Sequence, residues 1–274
     1  MSIKLKDKVI FITGASRGIG REIALRCARE GACIAIAAKS AEAQPKLEGT
    51  IYTVAEEVEK AGGKALPLMV DVRNEENVAE AIAKTVQTFG GIDVLINNAS
   101  AINLGSTEEI SMKRFDLIFS VNVRATFMCS KLCLPHLKKA ENPHILTLSP
   151  PLSMNPKWFK KHVAYTMSKY GMSMCTLGMA EEFKKYGVAV NSLWPKTLIA
   201  TAAIAVNISR LLYHASRKPV IVADAAYEII TSDSRTVTGN FFVDEEILRA
   251  RGTTDFKQYA MHRFIPVIRD IFLD

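Results

Sequence analysis

"VIFITGASRGIG", residues 9–20, decides the fold. The run Val9–Thr13 is apolar or β-branched, glycines follow at 14, 18 and 20, and a helical spacing then opens with Ile19, Ile23 and Cys27. A continuous apolar run bounded by a turn reads as a strand buried on both faces. Gly31, just past the last periodic residue, reads as a helix stop. Strand, glycine turn and helix in this order form a cradle for a phosphate. Glycine permits the tight turn and the close approach, and the helix N-terminus offers unpaired N–H groups and a positive dipole end. Glycine spacing alone is a weak signal, and the strand–turn–helix context strengthens it. The candidate dinucleotide contacts are therefore Gly14, Ala15, Ser16, Arg17, Gly18, Ile19 and Gly20.

The same alternation continues outward. "CIAIAA" (33–38), "KALPLMVDV" (64–72), "IDVLIN" (92–97), "HILTLS" (144–149), "VAVNSLW" (188–194) and "NFFVD" (240–244) read as strands. Helical patterns fall between them, over 50–62, 75–89, 111–140, from about 163 to 185, and 222–231. Apolar strands alternating with helices predict an α/β fold, a single doubly wound parallel sheet with helices on both faces, of Rossmann type. No linker or repeat divides the chain, so residues 1–252 are expected to form one dinucleotide-binding domain. Residues 253–274 fall outside the pattern, and their "FIPVIRDIFL" is too apolar for free solvent. This tail is expected to pack on the domain or a subunit interface.

Composition narrows the function. The 274 residues are 49% hydrophobic and 23% charged, ordinary for a globular chain with a sizeable core. No run approaches the ~18 consecutive apolar residues of a membrane span. The opening residues do not resemble a signal peptide, because the run "VIFI" is short and leads into the glycine motif. A cytoplasmic location is the expectation. The five cysteines (Cys27, Cys33, Cys129, Cys133, Cys175) include no C-x-x-C pair and no accompanying His cluster. They read as buried thiols of a reducing compartment, with no metal site. The net charge of +7 is spread along the chain without a basic block, so no nucleic-acid partner is expected.

The second strand discriminates between dinucleotides. A carboxylate at its end would bind a ribose 2′-OH and repel a 2′-phosphate. Here the end reads Ala37-Ala38-Lys39, and Arg17 adds a second cation from the glycine loop. NADP(H) is the expected cofactor. The competing reading makes Lys39 an ordinary surface lysine.

"TGASRGIG", "NNAS" (97–100), Asn122 in "SVNVRA" and "YTMSK" (165–169) occur in an order that resembles the classical short-chain dehydrogenase/reductase family, over residues 6–245. A narrower resemblance, carried by "AAKSAEAQPKLEGTIYT", "LSPPLSMNPKWF" and "LWPKT", is to family members whose vertebrate forms add a C-terminal sterol-carrier-type domain. No such domain is expected in these 274 residues, and no lipid-delivery role. The resemblance implies that Asp71 meets the adenine, that Asn98 and Ala99 line the cofactor and brace the sheet, and that Asn122 orders a water leading to Lys169. The family usually has glycine where Ser100 stands. It also implies a homodimer or homotetramer built through the long helices, and a small-molecule carbonyl or alcohol substrate.

Tyr165 and Lys169 are four residues apart on one helical face. A free phenol has a pKa of ~10. A lysine cation and a positive nicotinamide ring both favour tyrosinate, which would bring Tyr165 towards working pH as a general acid–base. The resemblance also implies that Lys169 holds the nicotinamide ribose. The family's polarising serine is harder to place. Ser149 and Ser153 stand 16 and 12 residues before Tyr165, and alignment on the strand end puts Pro150 in the serine's position. Ser149 is the candidate and Ser153 the alternate. Lys157, Trp158, Phe159, Lys160, Lys161 and His162 could meet an acidic or CoA-linked substrate, or form a solvated basic loop with its aromatics packed down. After the sixth strand, Lys196 stands where the family has glycine, which disfavours left-handed backbone there. Thr201 is the candidate for the nicotinamide amide, with Thr197 as the spare. Residues 202–220 would form a substrate lid whose "AAIAVNI" suits a hydrophobic substrate. A binding protein with little turnover is the competing expectation.

Overall fold

The computed structural model describes residues 5–42, 49–202 and 210–273. Its seven strands are β1 (Val9–Thr13), β2 (Cys33–Ala38), β3 (Lys64–Met69), β4 (Val94–Asn97), β5 (His144–Thr147), β6 (Ala189–Trp194) and β7 (Phe241–Val243). All pair in parallel, in the order β3-β2-β1-β4-β5-β6-β7. The chain order reverses between β1 and β4, so the crevice beyond their C-terminal ends is a switch point where such sheets bind ligands.

The helices are α1 (Gly18–Ala28), α2 (Ile51–Lys60), α3 (Glu75–Phe89), α4 (Met112–Phe119), α5 (Ala125–Leu137), α6 (Val163–Phe183), α7 (Arg210–His214), α8 (Val220–Ile230) and α9 (Asp244–Ala250). Strand side chains alternate between the two helical layers. Ile10, Ile12, Ile34 and Ile36 pack with α1, α2 and α8, whereas Val9, Phe11, Cys33 and Ala35 pack with α3, α5 and α6. Each fully buried isoleucine contributes roughly 1.5–3 kcal/mol of apolar burial. Thr50 caps α2 in a reciprocal box with Thr53, and Asn74 caps α3 by accepting from the N–H groups of Glu76 and Asn77. Pro67 lies within β3, which forms one border of the sheet, where a missing N–H is tolerated.

Two helical expectations need correction. The helix expected over 111–140 is two α-helices joined by a π-helical turn, Ser120–Arg124. Such turns shift the side-chain phase and recur at functional sites. The helix expected to reach residue 185 ends at Phe183, and a 3-10 turn, Lys184–Tyr186, carries the chain to Gly187 at φ 69°. The combined helix Met112–Leu137 is long and apolar enough to cross a bilayer by length and composition alone. Here Ile118, Ala125, Cys129, Cys133 and Leu137 are buried against the sheet domain.

Beyond β6 the chain is irregular but paired. Bridges join Thr197 to Arg269, Ile199 to Arg217 and Arg217 to Ala260. Much of the expected lid, residues 203–209, lies outside the described residues.

Candidate active site

The glycine turn forms the floor of a groove of about 620 Å³ at the switch point. Gly14 and Gly18 adopt φ 67° and 57°. A Cβ on Gly14 would lie 2.9 Å from the Cα of Ala99, so the approach of β4 requires glycine there. The N-cap residue of α1, Arg17, makes no side-chain cap, which leaves the first N–H groups of the helix facing the groove. Of the expected phosphate contacts, Gly14, Ser16, Arg17, Gly18 and Ile19 line it. Ala15 and Gly20 do not line it. Ala15 is fully buried, and a Cβ on Gly20 would meet the Nδ2 of Asn98 at 2.5 Å. Gly20 acts from behind, by leaving room for Asn98 to close on the loop.

Asn98 fixes that closure. Its Nδ2 donates to the carbonyl oxygens of Thr13 and Gly14, at 2.9 and 3.0 Å. Thr13 Oγ1 in turn accepts the N–H groups of Asn98 and Ala99, both at 3.0 Å. Asn98 and Ala99 line the groove as well.

At the far end of the groove Lys39 leaves β2 and approaches Asp71 Oδ2 at 3.2 Å. Arg73, which the sequence reading passed over, holds the same carboxylate at 2.6 Å. Its guanidinium keeps the Asp71 carboxyl far below the usual range, with Lys39 contributing. Asp71 lines the groove, but its side chain is engaged by two cations. With Arg17, whose Nη2 donates to Gly49 O at 2.9 Å, this end carries three cations and one carboxylate. The uncapped helix, the glycine floor and this positive end fit the phosphates of a nicotinamide dinucleotide.

A second cavity, of about 200 Å³, adjoins the groove and shares Ile19, Asn98, Ser100, Ile102 and Thr201 with it. Its walls are largely apolar: Leu104, Leu148, Trp194, Leu198, Ile199 and Ile271. Tyr165 and Lys169 reach it from successive turns of α6. Lys169 is 3% exposed, and its Nζ donates to Leu148 O at 2.8 Å. Burial draws Lys169 down to about 7 and drives the Tyr165 phenol well up. The expected lowering of Tyr165 by the lysine is therefore reversed here: burial dominates, and the negative charge of Asp270 adds to it.

Asn122 lies in the π turn and is fully buried. Its Oδ1 accepts from Ala101 N at 2.8 Å, and its Nδ2 donates to Ala101 O and Ser168 Oγ, both at 3.0 Å. It thus ties the loop after β4 to the residue preceding Lys169, rather than contacting Lys169 itself.

The serine assignment is corrected. Ser149 is fully buried and shares a hydrogen bond with Ser192 Oγ at 2.8 Å, and Ser192 donates onward to Thr176. This hydroxyl chain runs beneath the cavity, which Ser149 does not line. Ser153 does not line it either, and its carbonyl accepts from the Tyr170 hydroxyl at 2.8 Å. Thr201 lines both cavities, while Thr197 lines neither. Lys196 has no positive φ, so the glycine of the family pattern is not required. Its side chain pairs with Glu245 at 3.1 Å.

The insertion before α6 packs down. Trp158 and Phe159 join a cluster with Tyr165, Tyr170 and Trp194, while Lys157, Lys160 and Lys161 stay exposed. At its centre is Phe272, 1% exposed, with ring centroids of Trp158, His162, Tyr165, Tyr170 and Trp194 within 5.5–6.2 Å. The segment from Ile268 to Phe272 therefore crosses the site on its own domain. Its backbone is pinned by Leu198 N to Ile268 O at 2.9 Å and by Asp270 N to Lys196 O at 3.0 Å. Neither Asp270 nor Phe272 had a sequence signal beyond the apolar character of its surroundings.

Comparison with known proteins matches this arrangement to a family. A short chain dehydrogenase model matches residues 8–209. A Xenopus laevis protein, hydroxysteroid dehydrogenase-like protein 2, is 56% identical over 99% of this chain. The chain spans 64% of that relative's length. The crystal structure of a short chain dehydrogenase from Mycobacterium thermoresistibile superposes with a TM-score of 0.93 at 49% identity, covering 98% of this chain and 96% of that one. A metagenomic short-chain oxidoreductase in complex with NADP superposes at 0.73 with 25% identity, covering 88% and 97%. The chain belongs to the short-chain dehydrogenase/reductase family, and that membership implies an oxidoreductase using a nicotinamide cofactor.

Proposed function

We propose that the protein is an NADP(H)-dependent oxidoreductase that transfers a hydride between nicotinamide and a carbonyl or secondary alcohol of a hydrophobic substrate. One observation carries this reading. Tyr165 and Lys169 stand on the wall of an apolar cavity that opens into the glycine-floored groove. Gly14, Ser16, Arg17 and Gly18 would hold the pyrophosphate, Asp71 the adenine side, and Thr201 the nicotinamide amide. Lys39 and Arg73 support the choice of NADP(H), because two cations near a single carboxylate suit a 2′-phosphate. When bound, the dinucleotide supplies or accepts the hydride.

The chain's own residues handle the proton. In reduction Tyr165 gives its proton to the substrate oxygen, and in oxidation it takes that proton back. Lys169 holds the nicotinamide ribose and, as a cation, favours the tyrosinate. The apolar walls exclude water and favour a lipid-like substrate. The hydroxysteroid alcohols in the relative's name have the right character. The test is NADPH oxidation across steroid, quinone, acyl-CoA and medium-chain ketones, with wild type and Tyr165→Phe side by side. Turnover lost in the variant supports the reading. Tight NADPH binding without turnover on any carbonyl would favour a binding protein instead, a reading supported by the two serines that miss the cavity.

We also propose assembly into a homodimer or homotetramer. Phe127 of α5 and Met167, Met174 and Leu177 of α6 present exposed apolar side chains, at 45–57% exposure. Light scattering after size exclusion reads the subunit number, and charged substitutions at Met174 and Leu177 should lower it. The five free thiols fit a reducing compartment, and a cytoplasmic setting is the one we propose.

A further inference from the structure

Among its described lining residues, the apolar cavity holds one amine and one carboxyl group, Lys169 and Asp270. The first belongs to the acid–base pair. The second arrives from the far end of the chain, on the segment that Phe272 anchors. Lys169 donates to Leu148 O and contacts Met172 Sδ at 3.5 Å, and neither partner carries charge. A buried ammonium ion without a counter-charge gives up its proton, because the low-dielectric surroundings penalise the charged form. A neutral Lys169 could not favour a tyrosinate.

The fold holds Asp270 in place from three sides. Its N–H donates to Lys196 O, and its own Oδ1 accepts the N–H of Ile271 at 2.7 Å. Ile271 O accepts from the indole of Trp194. Phe272 follows at φ 69°, a conformation that a bulky side chain rarely adopts and that its five ring neighbours enforce. A backbone held this firmly fixes where the preceding carboxyl group points.

We propose that Asp270 is a positioning residue for the Tyr165–Lys169 pair, the counter-charge that keeps Lys169 an ammonium ion inside the cavity. The proposal rests on reading that pair as acid–base machinery. Burial and nearby charge support it. Burial lowers Lys169 to about 7 while Asp270 raises it, and burial pushes Asp270 itself up to about 7 against the opposing charge of Lys169, so the two groups hold each other ionised near neutral pH. The other charges facing Asp270 are Asp244, at the start of α9, which works against its ionisation, and the Tyr165 phenol of α6, which its carboxylate pushes up. Asp244 is partly committed elsewhere, with Oδ1 accepting from Lys196 N at 2.9 Å.

The test reads Lys169 directly and needs no substrate. In full-length protein with ¹³C-labelled lysine, the Cε resonance of Lys169, assigned by its loss in Lys169→Arg, is followed against pH. Wild type should titrate near 7, Asp270→Asn about 1 pH unit lower, and Asp270→Glu close to wild type. Trp158 and Trp194 both contact Phe272, so tryptophan emission reports whether the segment stays docked in each variant. An unchanged midpoint in a docked Asp270→Asn overturns the proposal. If Asp270→Asn undocks, Asp270→Glu decides: a docked Glu variant titrating well below wild type overturns it. A wild-type Lys169 already neutral at about pH 6 overturns it without any variant. Absence of turnover on every carbonyl would sink the proposed reaction and leave this titration interpretable.

Discussion

The indole Nε1 of Trp194 donates to the carbonyl oxygen of Ile271 at 3.0 Å, across 77 residues of sequence. It joins the end of β6 to the segment that crosses the candidate active site. The ring of Phe272 then fills the space between Trp194 and α6. Phe272→Ala should cost about 3 kcal/mol of unfolding free energy, the lower range for emptying a buried phenylalanine site. Urea denaturation followed by tryptophan emission measures it, and emission should shift to the red before global unfolding. A variant as stable as wild type would mean that the segment contributes nothing to the domain.

Tyr165→Phe removes the proton donor and leaves the ring and its neighbours. Turnover should fall about 10²–10⁴-fold, the usual span for a positioned acid–base group. NADPH affinity, read by quenching of tryptophan emission, should change little. A comparable fall in both quantities would point to a binding role for the residue.

Dinucleotide choice should follow the charges at the end of β2. The double variant Ala38→Asp with Lys39→Ala places a carboxylate where a 2′-phosphate would lie and removes one cation. The NADPH-to-NADH affinity ratio should fall at least about tenfold, or ~1.4 kcal/mol. Arg73→Ala should shift it in the same direction. If the ratio is unchanged in both, the cations around Asp71 do not read the phosphate.

Gly20 does not touch the groove, yet its substitution should damage binding. In Gly20→Ala the new methyl group meets Asn98 Nδ2 and Gly14 O, at 2.5 and 2.8 Å if nothing moves. Overpacking of this kind costs typically ~1–3 kcal/mol. Asn98 must release the loop carbonyls, so both the melting temperature and NADPH affinity should drop. Gly178→Ala is the control, since a Cβ there meets nothing within 4 Å.

Acid sensitivity should have a specific source in His144. It is fully buried on β5, its Nε2 faces Ser232 O at 3.0 Å, and its Nδ1 has no hydrogen-bond partner. Burial lowers it from 6.5 to about 4. A depressed value means that its stabilisation is present above pH 6.5 and is lost as the pH falls through about 4. The loss is on the order of 3 kcal/mol. Denaturation midpoints between those limits, compared with His144→Asn, check this: the variant should show a shallower decline.

The sheet and the glycine loop were legible because their signals are local. β1, β2 and α3 begin and end where the apolar runs and caps indicate. What escaped was set by distant contacts. The π turn at Ser120–Arg124 has no composition of its own and interrupts an otherwise uniform helical pattern. Ser149 lies beside the expected position, but its hydroxyl turns to Ser192, whose proximity only the β5–β6 pairing creates. Arg73 sits in an ordinary polar turn until Asp71 and Lys39 are brought to it. Asp270 lies 101 positions beyond Lys169 in sequence, by the difference of their numbers, with no repeated spacing to link them.

Pro67 has a consequence for the molecule in crowded solution. The outermost strand of a sheet ordinarily offers an unpaired ladder of amide groups on which foreign strands can polymerise. On this border a pyrrolidine ring interrupts the donors midway, and the opposite border is a strand of three residues. Both ends of the sheet are thus poor seeds for fibrillar growth. Heat-damaged protein should therefore aggregate through globally unfolded chains rather than by stacking of intact subunits, and its aggregation rate should track unfolding.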